Sequence, residues 1–154
     1  MSFPPSPQDP AFAALLADSH QRLTGAPLVP HGVAEADMAR WLFEEAPFPV
    51  LAQDTSEDPV FVYANVQAQA CFGYSLEEFS GLPSRLSAPS RFRAGRERLM
   101  TDVRTKGYTR GYRGLRRHKS GRQFWIEDVT IWNLVDARGV LRGQAAAIHS
   151  CADE

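Results

Sequence analysis

The chain has 154 residues but only two cysteines, Cys71 and Cys151, 80 positions apart. Two are too few for a disulfide framework or a zinc site. Long apolar runs are missing as well. The longest stretch free of strongly polar residues is the eight-residue Pro10–Ala17, and the next, Ala46–Ala52, contains two prolines. A membrane span needs about 20 apolar residues. The first residues, MSFPPSPQDP, show no basic patch followed by an apolar run, so no secretory signal is expected. Apolar residues make up 44% and charged residues 23%, which argues against a disordered, fibrous or coiled-coil chain. A chain of this length buries roughly 68–70% of its unfolded surface, enough for a core without metals or disulfides. These features predict one cytoplasmic, soluble domain with no membrane contact.

Net charge is small, but charge is uneven in placement. The formal net charge is −1. Residues 1–80 carry Arg22 and Arg40 against eleven acids, whereas residues 85–122 carry thirteen Arg or Lys against Glu97 and Asp102. One reading lays the acidic and basic segments against each other in the fold or across a dimer. The other makes residues 85–122 an anion site or a nucleic-acid surface. The first is preferred, because the acidic half is available as a partner, and nucleic acid is not the expected partner.

The first ten residues hold four prolines and are expected to be flexible. Asp9 followed by Pro10 marks a helix start, with Phe12, Leu15, Leu16 and Leu23 on one stripe. A linker from Thr24 to Gly32 leads to a second amphipathic helix over about 34–45, with Met38, Trp41 and Leu42 on its apolar face. The pattern then changes to strands at Phe48–Gln53 and Val60–Ala64. Asn65 is placed to cap a helix through Phe72. Ser75 and Glu78 form a capping box, Tyr74 and Phe79 occupy the staple positions, and Gly81 stops the helix. A longer helix is expected over about 90–106, with Phe92, Leu99 and Val103 as its buried row and Arg91, Arg93, Arg96, Arg98 and Arg104 on its other faces.

Three strands close the chain: Tyr108–His118, Gln123–Val135 and Val140–Ile148, joined by turns at Lys119–Gly121 and Asp136–Gly139. Simple alternation along the second puts Phe124, Ile126, Thr130, Trp132 and Leu134 on one side, and Trp125, Val129, Ile131 and Val135 on the other. Trp125 and Trp132, seven apart, should then face opposite sides. Sequential strands tend to pair, so the last three should form a meander completed by the first two. The middle helices must cover one face of that sheet, and the hollow between them is a natural small-ligand pocket. The N-terminal helices are the natural cover for the other face.

The stretch DPVFVYANVQAQACFGYSLEEFSGLPSRL and the later HKSGRQFWIEDVTIWNLVDARGVLRGQAAAI resemble a PAS domain. More closely, the motifs PSRLSA, TIWNL and RGQAA, set in a match from about Ser19 to Ile148, resemble the MEKHLA domain, a PAS-related family. The resemblance implies an α+β, PAS-like five-stranded antiparallel sheet with helices on one face, preceded by two N-terminal helices. The expected organisation is a flexible terminus over 1–10, a helical extension over 11–46, a PAS-like domain over 47–149 and a tail over 150–154. It also implies a sensory role.

Flavin photochemistry of the PAS type needs a cysteine where this chain has Ser84. The flavin-holding asparagines fall near Arg116 and Ile126, and Gln144 lies one place from the expected closing-strand glutamine. Haem-binding PAS domains use a histidine in the longer helix, where this sequence has none. Flavin and haem are both disfavoured, and the cofactor stays unassigned. His20, His31, His118 and His149 read as exposed residues and Cys71 as a small buried hydrophobe.

No phosphate loop, nucleophile triad or paired carboxylates suggest an enzyme. Glu127 and Asp128 are strand neighbours and point to opposite faces. An enzyme using the cavity remains the alternative to a binding module. The candidate ligand-binding residues are Tyr63, Phe72, Arg85, Trp132, Asn133 and Gln144. Asn133 and Gln144 could anchor a ligand or tie loops together. Arg85 could hold a ligand carboxylate or pair with Asp58. The expected partners are a small molecule and a second copy of the chain.

Overall fold

The computed structural model describes residues 6–89, 99, 101 and 103–153. The first helix, α1, spans Pro10–Thr24. The Asp9 carboxylate accepts from the Phe12 N–H at 2.9 Å, and Gly25 closes the helix at φ +75°. Its buried face is Phe12, Ala13, Leu16, Ser19 and His20. Leu15 and Leu23 are only half-buried. His20, expected at the surface, is 8% exposed because α1 lies flat on the sheet and turns that face inward.

The second helix is not regular. A 3-10 turn (Glu35–Asp37) leads into α2 (Met38–Arg40) and then a π-turn (Trp41–Glu45). The Ala46 N–H closes the π-turn on the Trp41 carbonyl at 2.7 Å. This wider turn releases the Leu42 carbonyl, which accepts from the Asn65 side-chain amide at 3.0 Å instead.

Strands β1 (Val50–Gln53) and β2 (Phe61–Ala64) are shorter than the sequence suggests. β1 starts after Pro49, which has no N–H for a ladder, and Val60 makes a separate bridge to Pro83. α3 (Val66–Phe72) is capped by Asn65, whose side chain accepts from the Ala68 N–H, and α4 (Leu76–Phe79) carries the full capping box of Ser75 and Glu78. The staple is formed too, with the Tyr74 and Phe79 rings 5.3 Å apart. A 3-10 turn follows at Ser84–Ser87. Most of the helix expected over 90–106, with Phe92 and Arg91, Arg93, Arg96 and Arg98, lies outside the described residues. Leu99 and Val103 of its inward row are buried.

β3 (Tyr108–Arg117), β4 (Gln123–Val135) and β5 (Leu141–Asp153) form the meander. β5 runs past Ile148 because β4 offers a partner of equal length, so Cys151, Ala152 and Asp153 pair with Ile126, Trp125 and Phe124 rather than forming a tail. The sheet order is β2-β1-β5-β4-β3, antiparallel throughout.

Each face carries its own core. Leu51, Phe61, Phe124, Ile126, Val129, Ile131 and Ile148 pack with Phe72 of α3 and Phe79 of α4. Val50, Ala52, Tyr63, Trp132, Leu134, Ala145 and Ala147 pack with Phe12 and Leu16 of α1 and with Leu42. The N-terminal helices therefore cover the second face.

The alternation along β4 breaks at Asp128, whose φ of +51° is the one left-handed non-glycine among the described residues. The partner strand is also irregular between Tyr112 and Gly114. Such a bulge shifts the side-chain parity by one, and Asp tolerates the conformation better than most residues. Ile126 and Val129, three apart, consequently share the α3–α4 face. Trp125, adjacent to Phe124 and Ile126, and Trp132, adjacent to Ile131, both point the other way. The expectation that the two tryptophans face opposite sides is thus overturned, as is the grouping of Phe124 and Ile126 with Trp132 and Leu134.

Candidate functional site

A cavity of about 70 Å³ lies between the α3–α4 face of the sheet and the Ser84–Ser87 turn. Its apolar wall includes Leu51, Phe61, Phe72, Leu99, Val129, Ile131 and Ile148. Among the described residues, five polar side chains also line it: Gln53 from β1, Ser84 and Ser87 from the turn, Arg116 from β3 and Gln144 from β5.

Strand alternation and capping explain this gathering. Gln144 shares its face with Ala146 and Ile148, and Phe72 is the last residue of α3 before Gly73 turns the chain away. Ser84 and Ser87 are both buried, and the Ser87 hydroxyl donates to the Ser84 carbonyl at 2.7 Å. The half-buried Gln144 side-chain amide donates to the Asn133 side-chain oxygen Oδ1 at 3.4 Å. The half-buried Arg116 guanidinium donates from Nη1 to the Leu115 carbonyl at 2.9 Å and the Tyr112 hydroxyl at 3.4 Å. Among the described residues it meets no carboxylate. A cation on the wall of a hollow with no acid among its described lining gives that hollow a positive end.

Of the candidate residues, the structure brings Phe72 and Gln144 together at this cavity. Four others lie elsewhere. Tyr63 is buried on the opposite face, its ring 5.3 Å from Phe12 and 6.2 Å from Phe43. Burial there pushes its phenol well above the ordinary value. Trp132 is fully buried on that same face, because the Asp128 bulge inverts the count. Arg85 is exposed and pairs with Asp58 at 3.1 Å. Asn133 acts as a tie: its side-chain amide donates to the Val103 carbonyl at 3.3 Å and its N–H to the Gly107 carbonyl at 2.8 Å. Sequence reasoning missed the polar lining residues Gln53, Ser84, Ser87 and Arg116. Arg116 had a signal, a cation at a strand position that pairs with the inward-facing Phe124.

The basic segment meets acids from both flanking parts of the chain. Besides Arg85 with Asp58, Lys119 pairs with Glu78, Arg113 with Glu127 at 2.8 Å and Arg122 with Asp153 at 2.9 Å. Glu78 is held below its ordinary value, first by the Lys119 bond and then by the Ser75 N–H. The Arg113 guanidinium also stacks 3.7 Å above the Trp125 ring. Among the described residues, no three His, Cys, Asp or Glu gather as metal ligands. None of the described helices is long and apolar enough to cross a membrane.

The sequence profile of the MEKHLA domain matches residues 10–152. The chain belongs to the MEKHLA domain family. No curated protein matches it. Among solved structures, this MEKHLA domain is similar to the PAS domain of a protein from Colwellia psychrerythraea. The TM-score is 0.65 at 16% identity, covering 76% of this chain and 97% of the other. It is also similar to the light-oxygen-voltage domain of a blue-light-activated histidine kinase from Erythrobacter litoralis, with a TM-score of 0.59 at 20% identity over 71% of this chain and all of that one. A light-oxygen-voltage domain studied with a flavin analogue gives a TM-score of 0.58 at 22% identity, covering 71% and 80% of the two chains. At these identities the likeness establishes a PAS-like fold.

The residues of this MEKHLA domain do not fit a flavin. Ser84, Arg116, Ile126 and Gln144 do converge on one cavity, but Ser84 brings a hydroxyl in place of a thiol. Arg116 and Ile126 bring a cation and a hydrocarbon where a flavin ring would need amides. A hollow of about 70 Å³ also falls far short of the roughly 300–1,000 Å³ typical of pockets for ligands of drug size.

Proposed function

We propose that this MEKHLA domain is a sensory module whose cavity takes a small anionic molecule and whose sheet and flanking helices pass the change on. The observation that carries the reading is Arg116. It stands on the wall of a hollow that Gln144, Gln53 and Ser84 also line, with no carboxylate partner among the described residues. A guanidinium in that setting suits a carboxylate, which it can bind through two parallel N–H bonds. The volume, about five waters at about 10–15 Å³ each, suits an acid with a short hydrocarbon tail lying against Phe72 and Ile148.

Native mass spectrometry of freshly purified chain reads a retained ligand and pairing with a second copy together. Titration with butyrate, followed by thermal shift and by amide chemical shifts, tests the charge. Butyrate should shift the amides of Gln53, Ser84, Arg116 and Gln144, and butanol should do so much more weakly. Arg116→Gln should weaken butyrate binding at least tenfold. Equal responses to acid and alcohol would refute the anion reading. An absence of any small-molecule response in native spectra and titrations would refute the sensory cavity itself.

A further inference from the structure

Cys71 and Cys151 are 80 positions apart in the chain, yet their sulfurs are 3.5 Å apart. Cys71 sits on α3 and is half-buried, while Cys151 lies in the exposed last part of β5. Neither is bonded covalently. The pair opens on a surface groove of about 400 Å³ that Pro47, Pro49, Gln67 and His149 also line, so a small reagent can reach it. The contact depends on β5 running beyond Ile148, because only the added strand pairing of Cys151 with Ile126 carries its sulfur back to α3.

From this geometry we infer that Cys71 and Cys151 form an oxidation site, closing to an intramolecular disulfide when a peroxide reaches the groove. Cys151 is the exposed sulfur and meets the oxidant first. Its thiolate attacks one peroxide oxygen, the O–O bond breaks, and the other oxygen leaves as hydroxide that takes up a proton to become water. Cys151 is then a sulfenic acid. The Cys71 sulfur attacks Cys151, its proton joins the departing hydroxyl as a second water, and the S–S bond forms. Two thiols are oxidised and one peroxide is reduced. Burial first, and then the neighbouring Cys151 sulfur, push the Cys71 thiol up to about 12, which fits Cys71 as the second partner rather than the initial nucleophile.

The bond would tie α3 to the end of β5. Phe72, next to Cys71, and Ile148, three residues before Cys151, are both cavity wall. The inference stands independently of any ligand in that cavity.

The test uses the full chain, reduced and desalted, then exposed to equimolar hydrogen peroxide. After alkylation under denaturing conditions, intact mass and peptide mapping count the thiols. Both free thiols should disappear, with the mass lower by two hydrogens. One peptide pair should link Cys71 to Cys151, the chain should stay monomeric on a non-reducing gel, and dithiothreitol should restore both thiols. The melting temperature should rise, since the bond closes a long loop. Cys151→Ser, at an exposed site, should leave Cys71 unoxidised under the same treatment. Cys71→Ser should stop at a sulfenic acid on Cys151, trapped with dimedone. An intermolecular cross-link through Cys151, or over-oxidised Cys151 beside a free Cys71 in the natural chain, would overturn the inference.

Discussion

The Trp132 indole N–H donates to the Leu16 backbone carbonyl at 3.1 Å, joining residues 116 positions apart across the buried interface of β4 and α1. The same interface is tied at its edge by Ser19, whose hydroxyl donates to the Val135 carbonyl at 3.0 Å and accepts from the Val135 N–H at 2.9 Å. Arg22 reaches that carbonyl as well. The N-terminal helix is thus part of the domain core. Trp132→Phe keeps an aromatic ring but loses the N–H and some volume, and should cost about 1–3 kcal/mol. Trp132→Ala should cost about 3–5 kcal/mol. Urea unfolding followed by far-ultraviolet circular dichroism measures both. A Phe variant as stable as the parent would show that the indole bond contributes nothing net.

Asn65 is a second hub. It is fully buried, and its side chain makes four hydrogen bonds. The carbonyl oxygen accepts from the Val50 and Ala68 N–H groups at 2.9 and 3.0 Å, and the amide donates to the Leu42 and Phe48 carbonyls at 3.0 Å each. One side chain therefore caps α3, starts β1 and fixes the π-turn. Asn65→Ala strands several buried backbone groups, each costing about 1–3 kcal/mol, and should leave the chain largely unfolded or severely destabilised. Asn65→Asp keeps the cap but sets a carboxylate against two carbonyl oxygens. It should also fail, with the deficit easing as the pH falls toward carboxyl protonation. Denaturant midpoints from neutral to acid pH separate the two.

Gly143 explains the glycine of RGQAA. A Cβ there would lie 2.3 Å from the Gln53 backbone carbonyl oxygen, so β1 and β5 could not keep their spacing beside the cavity. Gly143→Ala should cost about 1–3 kcal/mol and move the Gln53 amide resonance. Gly32→Ala, where nothing lies within 4 Å, should stay within about 0.5 kcal/mol of the parent. Equal stability of the two variants would contradict the packing described.

Local chemistry was the legible part of this fold. Asp9 with Pro10, and Ser75 with Glu78, act within four residues, so sequence order is enough to see them. The meander was legible for the same reason, since its turns are short. Parity over a long strand was not. A single left-handed residue, Asp128, reverses which side chains face inward, and no count of alternating residues registers it. That reversal is why Trp132 sits beneath α1 while Val129 and Ile131 reach the cavity. The site was half-legible. Phe72 and Gln144 were found, but Arg116 was seen only as an awkward substitute for an asparagine. Cys71 and Cys151 looked unrelated because their contact depends on the extended end of β5. Asn65 was legible as a cap but not as a tie to Leu42 and Phe48, because those partners lie 23 and 17 residues away.

His20 gives the interface of α1 and the sheet a pH dependence. Its ring meets Trp132 edge-on at 4.8 Å, and Nδ1–H donates to the Ala26 carbonyl at 2.7 Å. Burial lowers its pKa below 6.5, the Ala26 bond opposes that, and the charges of Arg110 and His149 add smaller depressions. The folded chain therefore prefers neutral imidazole. The unfolded chain takes up a proton near pH 6.5, before the folded chain does, so it binds more protons in that window and stability rises with pH there. Folding free energy should be full above pH 7.5 or so and fall as the solution is acidified through about 6.5 toward the lowered native value. His20→Gln removes the titrating group while keeping a donor for Ala26. Urea unfolding at intervals between about pH 5 and 8 should show a shallower slope for this variant than for the parent. Identical slopes would mean that the ring titrates alike in both states, contrary to its burial against Trp132.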